Sequence, residues 1–300
     1  MLAIRSEAPA PRHAPRILAL IALCLLGLAS LAACGPGGAS NARIQLRDDH
    51  IPRVKSILRE DIEAHRVGVR KAAKLLSRGF VLTDLDRRER EMRRVMQRIQ
   101  EAPRGIGEFV FSPMAFLAAV GADGVVIARD MEPDPMKGQD FGQRYPLVHQ
   151  ALAEGRPGHG LAEFPSSVEG EPSSWSMIFV HPVFHRAQVA GAIVAGIPLW
   201  RWAQRATRQI RVERAPEIEE GLTVWAYLIK GDRIFHYDTP PDLDAAMPPI
   251  SEIWAGLERS PGGFTGELQL LSRWYAYGAI PLEYLGDDMA LLMFRADPMD

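Results

Sequence analysis

His181 and His185 stand four residues apart, so in a continuous strand both would face one side, as two metal ligands can. Pro182 and the turn expected near His185 spoil that geometry, and zinc would still need a further ligand, so no metal site is expected. Asp130, Glu132 and Asp134 take the first, third and fifth places of a calcium loop. Pro135, however, stands where the sharp turn needs glycine, and Phe141 where a bidentate Glu belongs. Gly158-His-Gly160 runs on to Glu163 where a phosphate-cradling Gly-x-Gly-x-x-Gly needs its third glycine. No Gly-x-Ser-x-Gly elbow is present. Asp238, Asp242 and Asp244 lie among prolines and suit turns better than acid–base work. The sequence therefore points to no enzyme, no metal and no cofactor.

The residue with the clearest chemistry is Cys34. Arg5, Arg12 and Arg16 form a basic leader, Ile17–Leu31 is an apolar run short for a membrane span, and Leu31-Ala-Ala-Cys34 follows. That ending resembles a bacterial lipobox, which implies cleavage after residue 33 and lipidation of the Cys34 thiol. Cys24, the only other cysteine, would leave with the leader, so no disulfide is expected in an oxidising compartment. Several acyl chains anchor a protein stably, at roughly 0.8 kcal/mol per buried CH₂. Gly35 stands where an inner-membrane retention signal has Asp, so the expected address is the outer membrane, facing the periplasm. The chain carries 35 Lys and Arg against 37 Asp and Glu, and the leader takes three Arg and one Glu with it. With no basic excess, nucleic acid is not an expected partner.

Six further residues have the character of a ligand site. Strand alternation puts Trp175, Met177, Phe179 and His181 on one face, and a mixed aromatic and polar wall suits a small-molecule pocket. Arg144 and Tyr145, just ahead of a short helix, would add a cation and a hydroxyl from above. If Arg144 is the ligand cation, a carboxylate or phosphate would suit it. The bland reading is that an aromatic and Met stripe on a strand is plain core.

The elements that must position these residues repeat. Trp175 precedes Pro182 by seven positions, and ninety-nine residues on Trp274 precedes Pro281 in the same frame. Val54, Leu58, Ile62, Val69, Ala72 and Leu76 form one helical stripe. Thr83-Asp-Leu-Asp86 has the form of a capping box opening a second helix. The arginines on that helix, interleaved with Glu89 and Glu91, are expected to be a solvated, salt-bridged face. Strands are expected at Phe116–Val120 and Val125–Arg129 around Asp123-Gly124, a strong hairpin signal, and at Gly158–Phe164, Trp175–Val183 and Val189–Ile197. A helix is expected across Pro146–Glu154 and a polar loop over Pro165–Ser174. Leu199–Glu213 reads as a connecting helix. The order then recurs, with strands at Thr223–Lys230, Arg233–Tyr237, Phe264–Leu270, Arg273–Leu282 and Asp288–Arg295, and a helix at Ile250–Leu257.

This order, together with Phe116-Leu-Ala-Ala-Val-Gly-Ala-Asp-Gly-Val-Val-Ile-Ala-Arg129, Lys137–Pro146 and His181-Pro-Val-Phe followed by Val189–Gly196, resembles the double Cache module. That is the PAS-like extracytoplasmic sensor of bacterial receptors. The resemblance spans about Arg53 to Phe294. It implies an α+β protein with long N-terminal helices and two tandem lobes, each a five-stranded antiparallel sheet with a covering helix. Expected units are leader 1–33, lipidated cysteine and flexible tether 34–48, helices 49–104, first lobe 105–198, connecting helix 199–219 and second lobe 220–300. The resemblance also implies a small ligand held between sheet and covering helix of one lobe. The Arg-x-Trp-Tyr cluster of amino-acid-binding members has no counterpart, since Ser176 follows Trp175, which puts amino acids in doubt. With no second apolar run of spanning length after Cys34, any signal is expected to pass through a partner envelope or receptor protein. The rival expectation is a scaffold lipoprotein whose pockets are filled by side chains.

Overall fold

The protein, seen as a computed structural model, is described over residues 37–101, 105–111, 116–165, 173–270 and 272–298. The leader, Cys34 and the start of the expected tether lie outside these residues, as does most of the loop Pro165–Ser174. Among the described residues no helix is long and apolar enough to cross a membrane.

The described chain opens as helix rather than as a tether. α1 (Gly37–Gln45) passes through a π-helical turn, Leu46–His50, into α2 (Ile51–Leu76). Glycines and serine at 37–40 favour a loose chain, but Ala42 and Leu46 are fully buried against the second lobe, and packing overrides the weak local propensity. The stripe Val54, Leu58, Ile62, Val69, Ala72 and Leu76 is buried as its spacing predicts. A 3₁₀ turn at Gly79–Val81 leads to α3 (Leu85–Arg98). Its N-cap is Asp84, which accepts from the Arg87 amide at 3.0 Å, one residue on from the expected Thr83; a carboxylate satisfies the orphan amide equally well. Arg93 on α3 is not simply solvated: it bonds Glu89 at 2.9 Å and reaches Glu132, while Lys137 bonds Glu89. Asp134 organises the same loop by accepting the amides of Arg129, Met136 and Lys137 at 2.8, 3.0 and 3.0 Å. The would-be calcium loop is thus a clasp between α3 and the first lobe.

After α4 (Gly107–Phe111), the first lobe runs β1 (Phe116–Gly121), β2 (Val126–Arg129), α5 (Phe141–Arg144), α6 (Pro146–Glu154), β3 (Gly158–Phe164), β4 (Ser174–His185) and β5 (Gln188–Pro198). All pairs are antiparallel and the spatial order is 2-1-5-4-3. Pro182 does not end β4, which pairs on to His185 before a two-residue turn whose Arg186 and Ala187 both adopt positive φ, 47° and 65°. α7 (Leu199–Glu213) has the bounds its pattern predicts and is followed by the short α8 (Ala215–Glu219). The second lobe repeats the first: β6 (Thr223–Lys230), β7 (Arg233–Phe235), α9 (Pro241–Ala245), α10 (Ile250–Arg259), β8 (Phe264–Leu270), β9 (Arg273–Pro281) and β10 (Met289–Ala296). Its order, 7-6-10-9-8, is the same as the first.

Three cores result. One is continuous through the molecule and joins α1, α2, α3 and α7 to one face of both sheets. The other two are separate, one under α5 and α6 in the first lobe and one under α9 and α10 in the second. α7 also covers the bare edge of β6 beyond β7, where the Thr207 hydroxyl accepts from the Ala226 amide at 2.9 Å. Asp61 on α2 receives both Nε and Nη2 of Arg205 on α7 at 2.8 and 3.2 Å.

Candidate ligand-binding site

Strand alternation holds along β4, and it divides the six expected site residues between two layers. Met177 and Phe179 share a face, both 1% exposed, but that face meets α2 and not the covering helix. Phe179 lies between His65, stacked at 5.2 Å, and His159, stacked at 5.9 Å, with Trp202 of α7 at 6.4 Å. These two residues are core. His181 is half-buried, and its Nδ1 lies 2.9 Å from the Pro182 carbonyl. With Phe179, Glu63, Arg66 and Arg70 it lines a cavity of about 100 Å³ between α2 and the sheet. Burial lowers the His181 pKa, the carbonyl of Pro182 opposes this, and the nearby Arg70 and Lys74 reinforce it. Trp175 points to the second lobe, where Lys230 Nζ lies 4.5 Å from its ring centre.

Arg144 and Tyr145 are on the far side of the same sheet. Arg144 is exposed, and its guanidinium lies 5.7 Å from the Tyr145 ring centre. Tyr145 is buried, and its hydroxyl is 3.5 Å from the Glu163 carbonyl. Burial raises its pKa and Arg144 partly offsets the rise. The six expected residues are therefore not brought together: Met177, Phe179 and His181 face α2, Trp175 faces the second lobe, and Arg144 and Tyr145 lie on the other side of the sheet. Spacing shows which residues share a strand face; it does not show which layer covers that face.

The layer under α5 and α6 carries a different constellation. Tyr145, Phe141 and Phe164 form a ring cluster, with Tyr145 at 4.9 Å from both others, and Phe116 sits edge-on to Phe164 at 5.2 Å. Beside it lies Arg129, 8% exposed, whose guanidinium is 5.9 Å from the Phe116 ring centre and whose Nε is 3.4 Å from Asp130. Arg129 pairs across the sheet with Ala118 and so shares its inward face. The sequence carried a signal for it, an arginine closing an apolar strand opposite Phe116-Leu-Ala118, but read alone it looks like a strand-end charge. A buried guanidinium and a phenol on an aromatic wall can orient a small organic anion.

The equivalent layer of the second lobe holds a closed polar chain. Tyr227, fully buried, donates to Asp244 at 3.0 Å, and the Thr239 hydroxyl donates to the same carboxylate at 2.8 Å. His236 Nδ1 lies 2.5 Å from the Thr239 hydroxyl oxygen, closing a chain in which each polar atom has a partner. Burial, then the Asp244 charge, push the Tyr227 pKa up, so the phenol stays a donor.

The second copy of the repeat follows the first. Ala276, Gly278 and Ile280 look toward the N-terminal helix, as Met177 and Phe179 do. The room that these small residues leave is filled by Ile51, whose Cδ1 would lie 2.7 Å from a Cβ added at Gly278.

No family model and no curated protein matches the sequence. Solved structures match its fold. The ligand-binding domain of the Campylobacter jejuni chemoreceptor Tlp3 in complex with 4-methylisoleucine superposes with a TM-score of 0.55 at 7% identity, covering 85% of this chain and 91% of that one. The same domain in complex with L-norvaline gives 0.55 at 8% identity over 84% and 90%. Its isoleucine-bound form gives 0.54 at 6% over 88% and 97%. The likeness is one of fold. Like those domains, this chain has an α+β fold of an N-terminal helix and two five-stranded antiparallel sheets with helices, the architecture expected from its hairpins and repeated element order.

Proposed function

We propose that this chain is a small-molecule-sensing module of the bacterial cell envelope, lipid-anchored at Cys34, that reports ligand occupancy to a partner protein through α2. The observation that carries the reading is that the continuous helical run from α1 through α2 packs on the same face of both lobes, α1 on the second and α2 on the first, through a continuous core. A ligand that reshapes either sheet changes the surface on which this run rests. The first lobe supplies the candidate binding layer under α5 and α6, with Arg129 and Tyr145 as the polar groups on an aromatic wall. A small organic anion is the ligand class that suits it. The Tlp3 structures hold 4-methylisoleucine, L-norvaline and isoleucine, each of which has a carboxylate for such a cation.

A second reading, a scaffold with filled pockets, draws support from the rings of Phe116, Phe141, Tyr145 and Phe164, which pack the first covered layer. Thermal-shift titration of the purified protein against amino acids, dicarboxylates, amines and purines separates the two. Binding to the folded state alone raises the midpoint by about 2.7 kcal/mol of stability at a hundredfold excess over Kd. The sensing reading expects a saturable rise with at least one carboxylate class and its loss in Arg129→Gln, with the unliganded variant still folded by circular dichroism. No shift with any class would favour the scaffold.

A further inference from the structure

A second recess lies where α7 covers the edge of β6. It measures about 550 Å³ and is lined by Thr207, Arg208, Arg211, Val212, Trp225 and Tyr237, with Gln204 and Asp238 at its rim. That volume is within the range of small-molecule sites. Arg208 and Arg211 are three apart on α7 and so present neighbouring cations. Arg211 folds over the sheet edge, its guanidinium 3.9 Å from the Trp225 ring centre. Its Nε is buried without a hydrogen-bond partner, as is the Trp225 indole Nε1. Among the described residues neither arginine has a hydrogen bond or an ion pair.

Many other arginines of the protein have a counter-charge in contact. Arg53, Arg66, Arg93, Arg205, Arg214, Arg233 and Arg295 each have a carboxylate within 4.0 Å. Arg211 is half-buried with none, and Asp238 acts on it only through space. Burial accordingly lowers the Arg211 pKa, with Asp238 opposing, which is the mark of a cation short of a counter-charge. The apolar side of the recess is ready as well. Tyr237 is 48% exposed and held in place by stacking on Trp200 at 5.2 Å, and Val212 is 66% exposed.

We propose that this recess binds a small organic carboxylate, gripped by the Arg211 fork with Arg208 as second cation, its apolar body against Tyr237 and Val212. Stacking on Trp225 fixes the plane of the guanidinium, so little side-chain freedom remains to be lost when the carboxylate arrives. The site is independent of the first-lobe binding layer. It sits where the connecting helix meets the second lobe, so occupancy there would brace α7 against β6.

The test uses ¹⁵N-labelled protein and follows the indole N–H resonance of Trp225, assigned by its loss in Trp225→Phe, during titration with benzoate. A saturable shift is expected with benzoate and none with the neutral isostere benzamide. Arg211→Gln should weaken benzoate about tenfold or more, the usual consequence of losing a charge-assisted pair. Arg208→Gln, an exposed change that leaves the fold alone, should weaken it several-fold and keeps the test valid if Arg211→Gln does not fold. The proposal is overturned if no saturable shift occurs with benzoate, if benzamide matches it, or if the arginine substitutions leave the affinity unchanged. Arg129→Gln should not alter the benzoate response at Trp225, so failure here and failure of the sensing reading are separable.

Discussion

His50 shows what a single side chain does at the seam between the N-terminal helix and the second lobe. It is fully buried in the π-helical turn, with Nδ1 3.0 Å from Asp49 and Nε2 2.8 Å from Arg295 Nη1. The arginine can only donate, so Nε2 accepts and the proton sits on Nδ1, directed at Asp49. Arg295 also donates to Asp297 at 2.7 Å and Glu217 at 3.1 Å, and Arg214 pairs with Asp49. Burial lowers the His50 pKa most, Arg295 lowers it further and Asp49 opposes. Burial likewise lowers His159 and His181. A histidine whose folded pKa is depressed binds its proton more readily when unfolded, so stability rises with pH. The full contribution is present above the unfolded value of 6.5 and is lost as pH falls below it. The melting temperature should therefore be flat above that pH and decline below it, before carboxylates with a reference value of 4.5 begin to titrate. Circular-dichroism melts across this range should show a shallower decline in His50→Gln. Equal slopes would mean that the seam is insensitive to this proton. Nothing in the sequence flagged His50, because the Arg295 that makes it matter lies 245 positions away.

At the level of elements, what the sequence disclosed and what it hid follow one physical division. Local pattern identifies strands and helices, and β3, β6, β8, α6 and α7 have the bounds that their patterns predict. Local pattern does not say what lies on a strand face. Met177, Phe179 and His181 do share a side, yet the layer upon it is α2, contributed by residues a hundred or more positions earlier, while Trp175 reaches the second lobe. The start of the helix was hidden for a related reason. Residues 37–45 have weak helical pattern, and their order comes from contact with β8, β9 and β10. That docking can be measured at Gly278, where an added Cβ would lie 2.7 Å from Ile51 Cδ1 and 3.4 Å from Thr265 Cγ2. Gly278→Ala should destabilise the protein by about 1–3 kcal/mol through overpacking. Ile51→Val removes the clashing methyl, so in the double variant the two costs should fall short of their sum by about 1 kcal/mol. Urea unfolding of the four proteins gives the coupling directly, and strict additivity would show that the helix does not press on the strand.

For the whole molecule, two lobes of the same order share a single central core, and the sequence repeat of Trp and Pro foretold the two lobes without foretelling the shared core. The repeat marks the fourth strand of each sheet, where Trp175 reaches the other lobe and Trp274 is 40% exposed. The proposed anchor belongs to this scale too. Cys34 lies three residues before α1, so a lipid there would hold the molecule by its N-terminal helix. Cys34→Ser should release the protein from membranes into the soluble fraction and abolish incorporation of labelled palmitate. Continued partition with membranes would remove the lipid from the account.

The contact between residues 41 and 297 has a mechanical consequence. Asn41 donates to Asp297 at 2.8 Å, and Arg43 reaches Thr265 and Glu267 at 3.3 and 3.4 Å. Tension applied at the start of α1 is therefore taken up by the second lobe within two turns of helix. The 26 residues of α2 extend about 39 Å further before the described helix ends against the first lobe. With the proposed lipid at Cys34 as the fixed point, the first lobe would hang at the unloaded end of the lever, free of the load that the second lobe takes up.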